Sequence, residues 1–294
     1  MKARAFAPAK INLSLHVTGR RSDGYHLIDS IVGFAGIGDY VSTTCSEVSG
    51  LTVCGPYSGK TPVDRTNLVT QVADMVWPDK PVQVHLEKNL PVASGIGGGS
   101  ADAAACFRAL ECLSATTIGP DTSAQLLKIG ADIPMCVNSV PARIGGIGDR
   151  IAPIPSLPKF PVVLVNPLVS VSTASVFEAL RMRENAKMRD VPDDFSDAPK
   201  VLHWLKDQRN DLQDAAVSLV PDIGLVLSRI SATSGCRLSR MSGSGATCFG
   251  IYDSAASADN AAIAITRQNP DWWVVSTQLD GQERADAQFI RSTT

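Results

Sequence analysis

The sequence predicts an α+β protein of two lobes, and three of its features carry that expectation. Strand-like alternation and helical runs occur in both halves, without the regular strand-helix alternation that builds a parallel sheet. At 294 residues the chain exceeds one ordinary hydrophobic core, and its apolar content is ample for two. A glycine- and proline-rich stretch at 141–161, PARIGGIGDRIAPIPSLPKFP, is placed to carry the chain between lobes, giving an expected division at 1–155 and 156–294.

In order along the first lobe, residues 3–15 read as a strand that is interrupted at Pro8 and resumes as KINLSLHV. Lys10 sits there among small and apolar neighbours; an isolated lysine of this kind ordinarily snorkels to water. GRRSDGYH at 19–26 is a turn-forming run with two arginines, an acid and an aromatic pair, as at a solvated hairpin tip. Residues 30–90 read as strands and turns, with VCGPYSGKTPVDRTN an exposed connection. Asn67 opens the apolar run NLVTQVADMVW and suits a helix cap. VQVHL at 82–86 alternates as a strand, in which His85 is an ordinary polar residue.

The segment at 88–105, KNLPVASGIGGGSADAAA, is where the chemistry is expected. Gly95, Gly97, Gly98 and Gly99 remove side chains, so that consecutive backbone N–H groups can converge on one point and approach a bulky anion. Ser100 is placed to cap the alanine-rich helix behind them, whose positive N-terminal end faces the same anion. A bare glycine cluster is more often a plain turn, but here a proline, the glycines, a cap and a helix stand in working order. No Lys-Ser/Thr follows the last glycine, so this is not a P-loop. A dinucleotide fingerprint fits poorly, because TIGPDT, about 20 positions on, offers no strand to carry a ribose-binding carboxylate.

Residues 123–129 then read as a short helix ended by Gly130, followed by GADIPMCV, in which Asp132 taken alone suits a turn or cap. In the second lobe, VVLV at 162–165 is a strand, and 184–200 is dominated by charge and proline, as expected of an exposed, mobile excursion. NDLQDAAVSLVPDIGLVLSRI reads as helix, break at Pro221, helix. The small-residue turn Ser242-Gly243-Ser244-Gly245 feeds the strand TCFGIY, either as a tight hairpin or as a second anion-facing turn. A helix at 255–267 and a strand, WWVVSTQL, close the lobe.

A formal charge of −2 gives no general attraction to nucleic acid or anionic lipid, so a polyphosphate must be held by local geometry. Seven scattered cysteines lack zinc-site spacing and are expected to be reduced and mostly buried. The N-terminus lacks the apolar core of a secretion signal and no run of membrane length appears, so a cytoplasmic enzyme with no nucleic-acid or membrane partner is expected.

The order Pro91, three residues, then GIGGGSADAA resembles the second motif of the GHMP kinases, small-molecule kinases whose glycine loop wraps the phosphates of ATP. PAKINL at 8–13 is similar to the opening of one branch of that family, and GRRSDGYH at this spacing resembles the substrate loop of the branch that acts on a cytidylated methylerythritol in non-mevalonate isoprenoid synthesis. GADIP and the NDL and SGSG segments extend the resemblance over nearly the whole chain.

The resemblance implies an N-terminal lobe like ribosomal protein S5 domain 2 and a ferredoxin-like C-terminal lobe. It implies ATP as co-substrate, held along Pro91, Val92, Ala93, Ser94, Gly95, Ile96, Gly97, Gly98, Gly99, Ser100 and Ala101, with Asn67 beside the adenine or serving as a cap. Asp132 would take the proton from the acceptor hydroxyl, and Lys10 would hold and polarise that pair. Asn12, Tyr25, His26, Thr173, Gly243 and Ser244 would line the acceptor site, where Tyr-His offers a flat face and hydrogen-bonding edges to cytosine. Phe177 either stacks on the base or fills the core. Mg2+ is expected with the nucleotide, and no dedicated protein cage for it is visible.

Two positions depart from the GLGGGSSDAA common in relatives: Ile96 is conservative, whereas Ala101 removes a hydroxyl near the phosphates. Asp102 is retained and is expected to charge the helix start favourably. The alternatives are another GHMP kinase, for mevalonate or a sugar, which GRRSDGYH disfavours, and a non-catalytic nucleotide sensor, which the presence of both Lys10 and Asp132 disfavours. The sequence leaves the oligomeric state open.

Overall fold

The computed structural model describes residues 1–114, 121–279 and 285–290; TIGPDT, apart from its last two residues, lies outside them. Two long antiparallel strands, β1 (Lys2–Arg20) and β2 (His26–Cys45), form the spine of the molecule. β1 is not interrupted at Pro8. Proline cannot donate to the ladder, and the pairing accommodates it with a register shift between Pro8 and Lys10.

Around this hairpin β3 (Gly50–Cys54) and β4 (Val82–Glu87) pair in parallel, and β4 joins β2 antiparallel. Between β3 and β4 lies α1 (Leu68–Val76), and after β4 the glycine segment opens α2 (Gly98–Ser114). α2 is buried on nearly every side. Its alanines at 101, 103, 104, 105 and 109 let its backbone come close to the sheet, where Phe107 and Leu110 share a core with Val32, Phe34, Val84 and Leu86. α3 (Thr122–Ile129) and α4 (Ile133–Asn138) complete this layer.

The 141–161 stretch departs from its expected linker role. Most of it forms a hairpin, β5 (Ala142–Gly146) with β6 (Arg150–Pro153), and β5 pairs with the first half of β2. Ala142 and Ile144 alternate into the core, a period-2 signal masked by the glycines and prolines around it.

The second sheet contains β7 (Pro161–Asn166), then α5 (Thr173–Glu178), α6 (Ala198–Lys206), α7 (Gln213–Leu219) and α8 (Asp222–Ser231), then β8 (Cys236–Met241), β9 (Cys248–Tyr252), α9 (Ala255–Gln268) and β10 (Trp273–Gln278). The antiparallel order β10-β7-β9-β8 is the β-α-β-β-α-β ferredoxin-like arrangement, with the break at Pro221 where the sequence put it. β11 (Gln288–Ile290) returns to pair with β1, making the first sheet seven-stranded.

The segment at 184–197 is irregular but anchored, contrary to a free excursion: Met188 and Phe195 are buried, the Asn185 amide donates to Val17 O (3.0 Å) and the Met188 amide to Asp29 Oδ2 (3.0 Å). All seven cysteines are free thiols, but Cys106, Cys136 and Cys248 alone are buried, so the expectation of mostly buried thiols fails. Among the described residues no helix is long and apolar enough to cross a membrane.

Candidate active site

A cavity of about 1030 Å³ opens between the two sheets, and β1 runs along its floor. One wall is the glycine segment. Its geometry differs from the expected capping scheme, because α2 already begins at Gly98 and the Ala101 amide donates to Gly97 O (2.8 Å). Ser100 therefore lies inside the first turn rather than at the cap, and the glycines themselves provide the helix start that faces the cavity.

The second small-residue turn closes against the first. Asn12 N donates to Ser242 Oγ (3.1 Å), Ser242 Oγ donates to Gly95 O (3.1 Å), and Thr247 N donates to Ser94 O (3.1 Å). Both turns need glycine at the meeting point. Gly95 has φ +74, and a Cβ there would lie 2.5 Å from Gly245 O; Gly243 has φ +55, and its Cβ would lie 2.8 Å from Gly95 O. The SGSG segment is thus a hairpin turn between β8 and β9 and also a cavity wall, so the two readings of it coexist.

At the centre, Lys10 Nζ lies 3.1 Å from Asp132 Oδ2 and donates to Asn12 Oδ1 (2.9 Å). The side chain of Lys10 is 8% exposed and that of Asp132 37%, so the lysine is fixed and the carboxylate stays reachable from the cavity. Lys10 does not snorkel to water. β1 delivers it, its amide held by Ile96 O (2.8 Å), while Asp132 precedes α4 and spends no side-chain bond on capping that helix. Asn12 is fixed in turn by donating Nδ2–H to Ser30 Oγ (2.8 Å).

Elsewhere in the lining, Tyr25 projects into solvent and His26 stacks on Phe177 with ring centroids 4.7 Å apart and an interplanar angle of 24°. Phe177 is half-buried: it stacks on His26 and also packs against the second-lobe core cluster. The His26 Nε2 atom is buried with no hydrogen-bond partner. Burial first, then the charges of Arg20 and Arg183, hold this imidazole below the ordinary histidine pKa, favouring its neutral form. Thr173 Oγ1 and Ser244 Oγ are 2.8 Å apart at the same end.

The cavity thus brings together Lys10, Asn12, Tyr25, His26, Asn67, Asp132, Thr173, Phe177, Gly243 and Ser244 with Pro91, Val92, Ala93, Ser94, Gly95, Gly97, Gly98, Gly99 and Ser100. Ile96 and Ala101 do not join the lining; both are buried in core clusters, and the Ala101 amide is spent within the helix. Asn67 does cap α1, accepting from Val69 N (2.9 Å), and it also reaches the cavity.

Asp102 is corrected. It does not sit at the helix mouth as a free charge but is buried against Lys88 Nζ (2.7 Å), which also meets Asp39 Oδ2 (2.5 Å). Sequence reasoning missed Lys88 and Asp39, together with Arg20 and Arg183 in the lining. A lysine three residues before Pro91, at the end of an otherwise alternating strand, was the available signal for Lys88.

Among the described residues no group of three or more His, Cys, Asp or Glu side chains is disposed to hold a metal ion. The cavity offers groups for acid-base and charge-stabilising work: the reachable carboxylate of Asp132, the buried ammonium of Lys10 beside it, and a wall of backbone amides.

Residues 67–152 match the GHMP kinases N terminal domain and residues 193–271 the GHMP kinases C terminal domain. The 4-diphosphocytidyl-2-C-methyl-D-erythritol kinase of Roseobacter denitrificans is 48% identical over 284 residues, covering 95% of each chain. The kinase of the same name from Ruegeria pomeroyi is 48% identical over 93% of this chain and 98% of its own. A crystal structure of a 4-(cytidine 5'-diphospho)-2C-methyl-D-erythritol kinase superposes with TM-score 0.78 at 30% identity, covering 95% of this chain and all of that one. Homoserine kinase from Cytophaga hutchinsonii, at TM-score 0.65 and 17% identity, shares the fold.

Proposed function

This chain belongs to the 4-diphosphocytidyl-2-C-methyl-D-erythritol kinases of the GHMP kinase family, and on that premise we propose how its residues transfer the terminal phosphoryl group of ATP to the C2 hydroxyl of that cytidylated acceptor. The products are the 2-phosphate and ADP. The observation that carries the reading is the Lys10–Asp132 pair, 3.1 Å apart, in the cavity that the glycine wall and the His26–Phe177 stack also line. An alcohol placed there lies beside a base and within reach of a phosphate held by main-chain amides.

Phosphoryl transfer needs placement and charge neutralisation more than covalent help from the protein. Asp132 accepts the hydroxyl proton as the acceptor oxygen bonds to phosphorus and the bond to the ADP oxygen breaks. The Lys10 ammonium, fixed by Asn12, stabilises the negative charge gathering on the transferred oxygens. Gly95, Gly97, Gly98 and the first turn of α2 cradle the phosphates, and Asn67 lies towards the adenine. At the far end cytosine enters beside Tyr25 and Phe177, and the unpaired Nε2 of His26 gains a partner on the ring edge.

A Mg2+ ion bound with the nucleotide would supply further charge neutralisation. The residues present fit an ion carried by the nucleotide, with Ser100 as an oxygen donor in the cavity lining. The seven free thiols fit a reducing compartment such as the cytoplasm.

The test is a comparison of acceptors. With the cytidylated methylerythritol, ATP should be consumed and phosphorus NMR should show a new monophosphate ester; the uncytidylated polyol, mevalonate and homoserine should give little or none. ATP binding without transfer to the cytidylated acceptor would make the protein a nucleotide sensor instead.

A further inference from the structure

The glycine wall sits on a buried charged cluster that the reaction scheme above does not use. Lys88, at the exit of β4, is 3% exposed, and its ammonium lies 2.5 Å from Asp39 Oδ2 and 2.7 Å from Asp102 Oδ2. Asp39 comes from β2 and its other oxygen accepts the amides of Asn89 (2.5 Å) and Leu90 (2.8 Å), the residues that lead into the glycine segment. Asp102 comes from the first turns of α2, the element that leaves it. One ammonium therefore joins the two ends of the segment to each other and to the central hairpin.

That ammonium also lies against the phosphate side of the wall. A Cβ on Gly98, the first helical residue, would be 3.1 Å from Lys88 Nζ, and Lys88 and Asp102 both reach the cavity lining. Asp102 Oδ1 is buried without a partner, so the cluster is not saturated. Although burial pulls the pKa of Lys88 down, the carboxylates of Asp102 and Asp39 hold it above the ordinary lysine value, favouring the charged form. Burial drives the Asp102 carboxyl well above its usual range, against the pull of Lys88 and with the Asp39 carboxylate adding to it.

We propose that Lys88 is a positioning residue for ATP: its buried ammonium, shared by Asp39 and Asp102, fixes the curvature of the glycine segment and the direction of the first turn of α2, and so sets where the nucleotide phosphates dock. This rests on the kinase reading. It assigns Lys88 no contact with the acceptor, which distinguishes it from Lys10 on the other side of the glycines.

The experiment compares wild type, Lys88→Met, Asp102→Asn and Lys88→Met/Asp102→Asn, measuring folding by near-ultraviolet circular dichroism and the affinities for ATP and for the cytidylated acceptor separately by calorimetry. The double variant is included because Lys88→Met alone strands two buried carboxylates, and Asp102→Asn removes one of them. Relative to Asp102→Asn, the folded double variant should bind ATP at least tenfold more weakly, while its affinity for the acceptor alone changes less than twofold. Equal ATP affinity in those two proteins overturns the proposal, as does a parallel loss of acceptor affinity, which marks general damage to the lobe. Wild type that binds no ATP would overturn the kinase reading together with this one, whereas wild type that binds ATP beside an equally competent double variant overturns this one alone.

Discussion

Replacing Asp132 by asparagine tests the central assignment, because it removes a base while changing little else. The side chain keeps its size, loses its charge, and gives up no capping bond, since α4 takes none from it. Lys10 loses a carboxylate 3.1 Å away but keeps Asn12 Oδ1 at 2.9 Å, so its ammonium is not stranded. Because the Asp132 side chain is more than a third exposed, the lost ion pair should cost about 0–1 kcal/mol of stability. The loss of a positioned general base is far larger, about 10²- to 10⁴-fold in kcat, or about 3–5 kcal/mol of transition-state free energy. ATP, held by the glycine wall on the other side of the pair, should bind within about threefold of wild type, a shift of under about 1 kcal/mol. Steady-state ADP release gives kcat, and calorimetry without acceptor gives the ATP affinity. An equal loss in both measurements would place Asp132 in nucleotide binding rather than in the transfer step.

Gly95→Ala should weaken ATP binding at least tenfold and lower the melting temperature, because its Cβ would meet Gly245 O at 2.5 Å and Ser242 O at 2.7 Å and drive the two turns apart; unchanged binding in calorimetry would show that they need not touch. Asn67→Ala should cost about 1 kcal/mol of stability by uncapping α1, whereas Asn67→Asp keeps the acceptor for Val69 N and should restore most of that stability but not the ATP affinity, as urea melts paired with ATP titrations would reveal. Phe177→Ala removes the ring stacked on His26 and should raise KM for the acceptor by about tenfold with KM for ATP unchanged; a matching rise in both would make Phe177 a structural residue. His26 is held below the ordinary histidine pKa, so it remains neutral as the pH falls through that value and acceptor affinity should hold there, dropping only at lower pH. The unfolded chain protonates first, so this histidine also makes folding less favourable as the pH falls from the ordinary value to the depressed one, and not above it. Arg20→Gln removes one source of the depression and should move the acid limb of acceptor KM to higher pH; an unmoved limb would refute that coupling.

The two-sheet plan and the cavity wall were legible because their signals are local. Glycines in 95–99, the alternation of 82–86 and the break at Pro221 each act on their own neighbourhood, and the elements there formed as expected except that α2 starts at Gly98, ahead of the expected Ser100 cap. What the sequence hid depends on partners far along the chain. Pro8 reads as a strand breaker until the register shift in its pairing with β2 absorbs it, and 141–161 reads as a linker until Ala142 and Ile144 are seen to face a sheet. Residues 184–197 look free by composition, yet Asp29, 159 positions before Met188, holds its amide. Asp102 was read as a favourable charge at the helix start because nothing near it announces Lys88 and Asp39 as its buried partners. Lys10 and Asp132 are separated by most of the first lobe. Their pairing followed from the family resemblance, and from no local pattern.

The relative placement of donor and acceptor then depends on how the two sheets are joined, and β1 decides it. Its side chains enter all three core clusters: Ala3, Ala5 and Ala7 pack with α2, Ile11 and Leu13 with Val162 and Leu164 of β7, and Leu15 and Val17 with Val163 and α8. A hinge between lobes would have to break that strand's burial on both sides. The polar bonds add to this constraint, because Asn12, Ser242 and Gly95 form a chain from β1 through the second-lobe turn to the glycine wall, and Arg240 of β8 donates to Leu13 O (2.6 Å). The Lys10–Asp132 pair therefore keeps its distance from the glycine wall before any ligand arrives, so placement of the alcohol against the phosphate draws little on binding energy. Adaptation is left to the end where Tyr25 projects into solvent and the buried Nε2 of His26 has no partner, and on the proposed reading it is there that cytidylated and plain polyols are told apart.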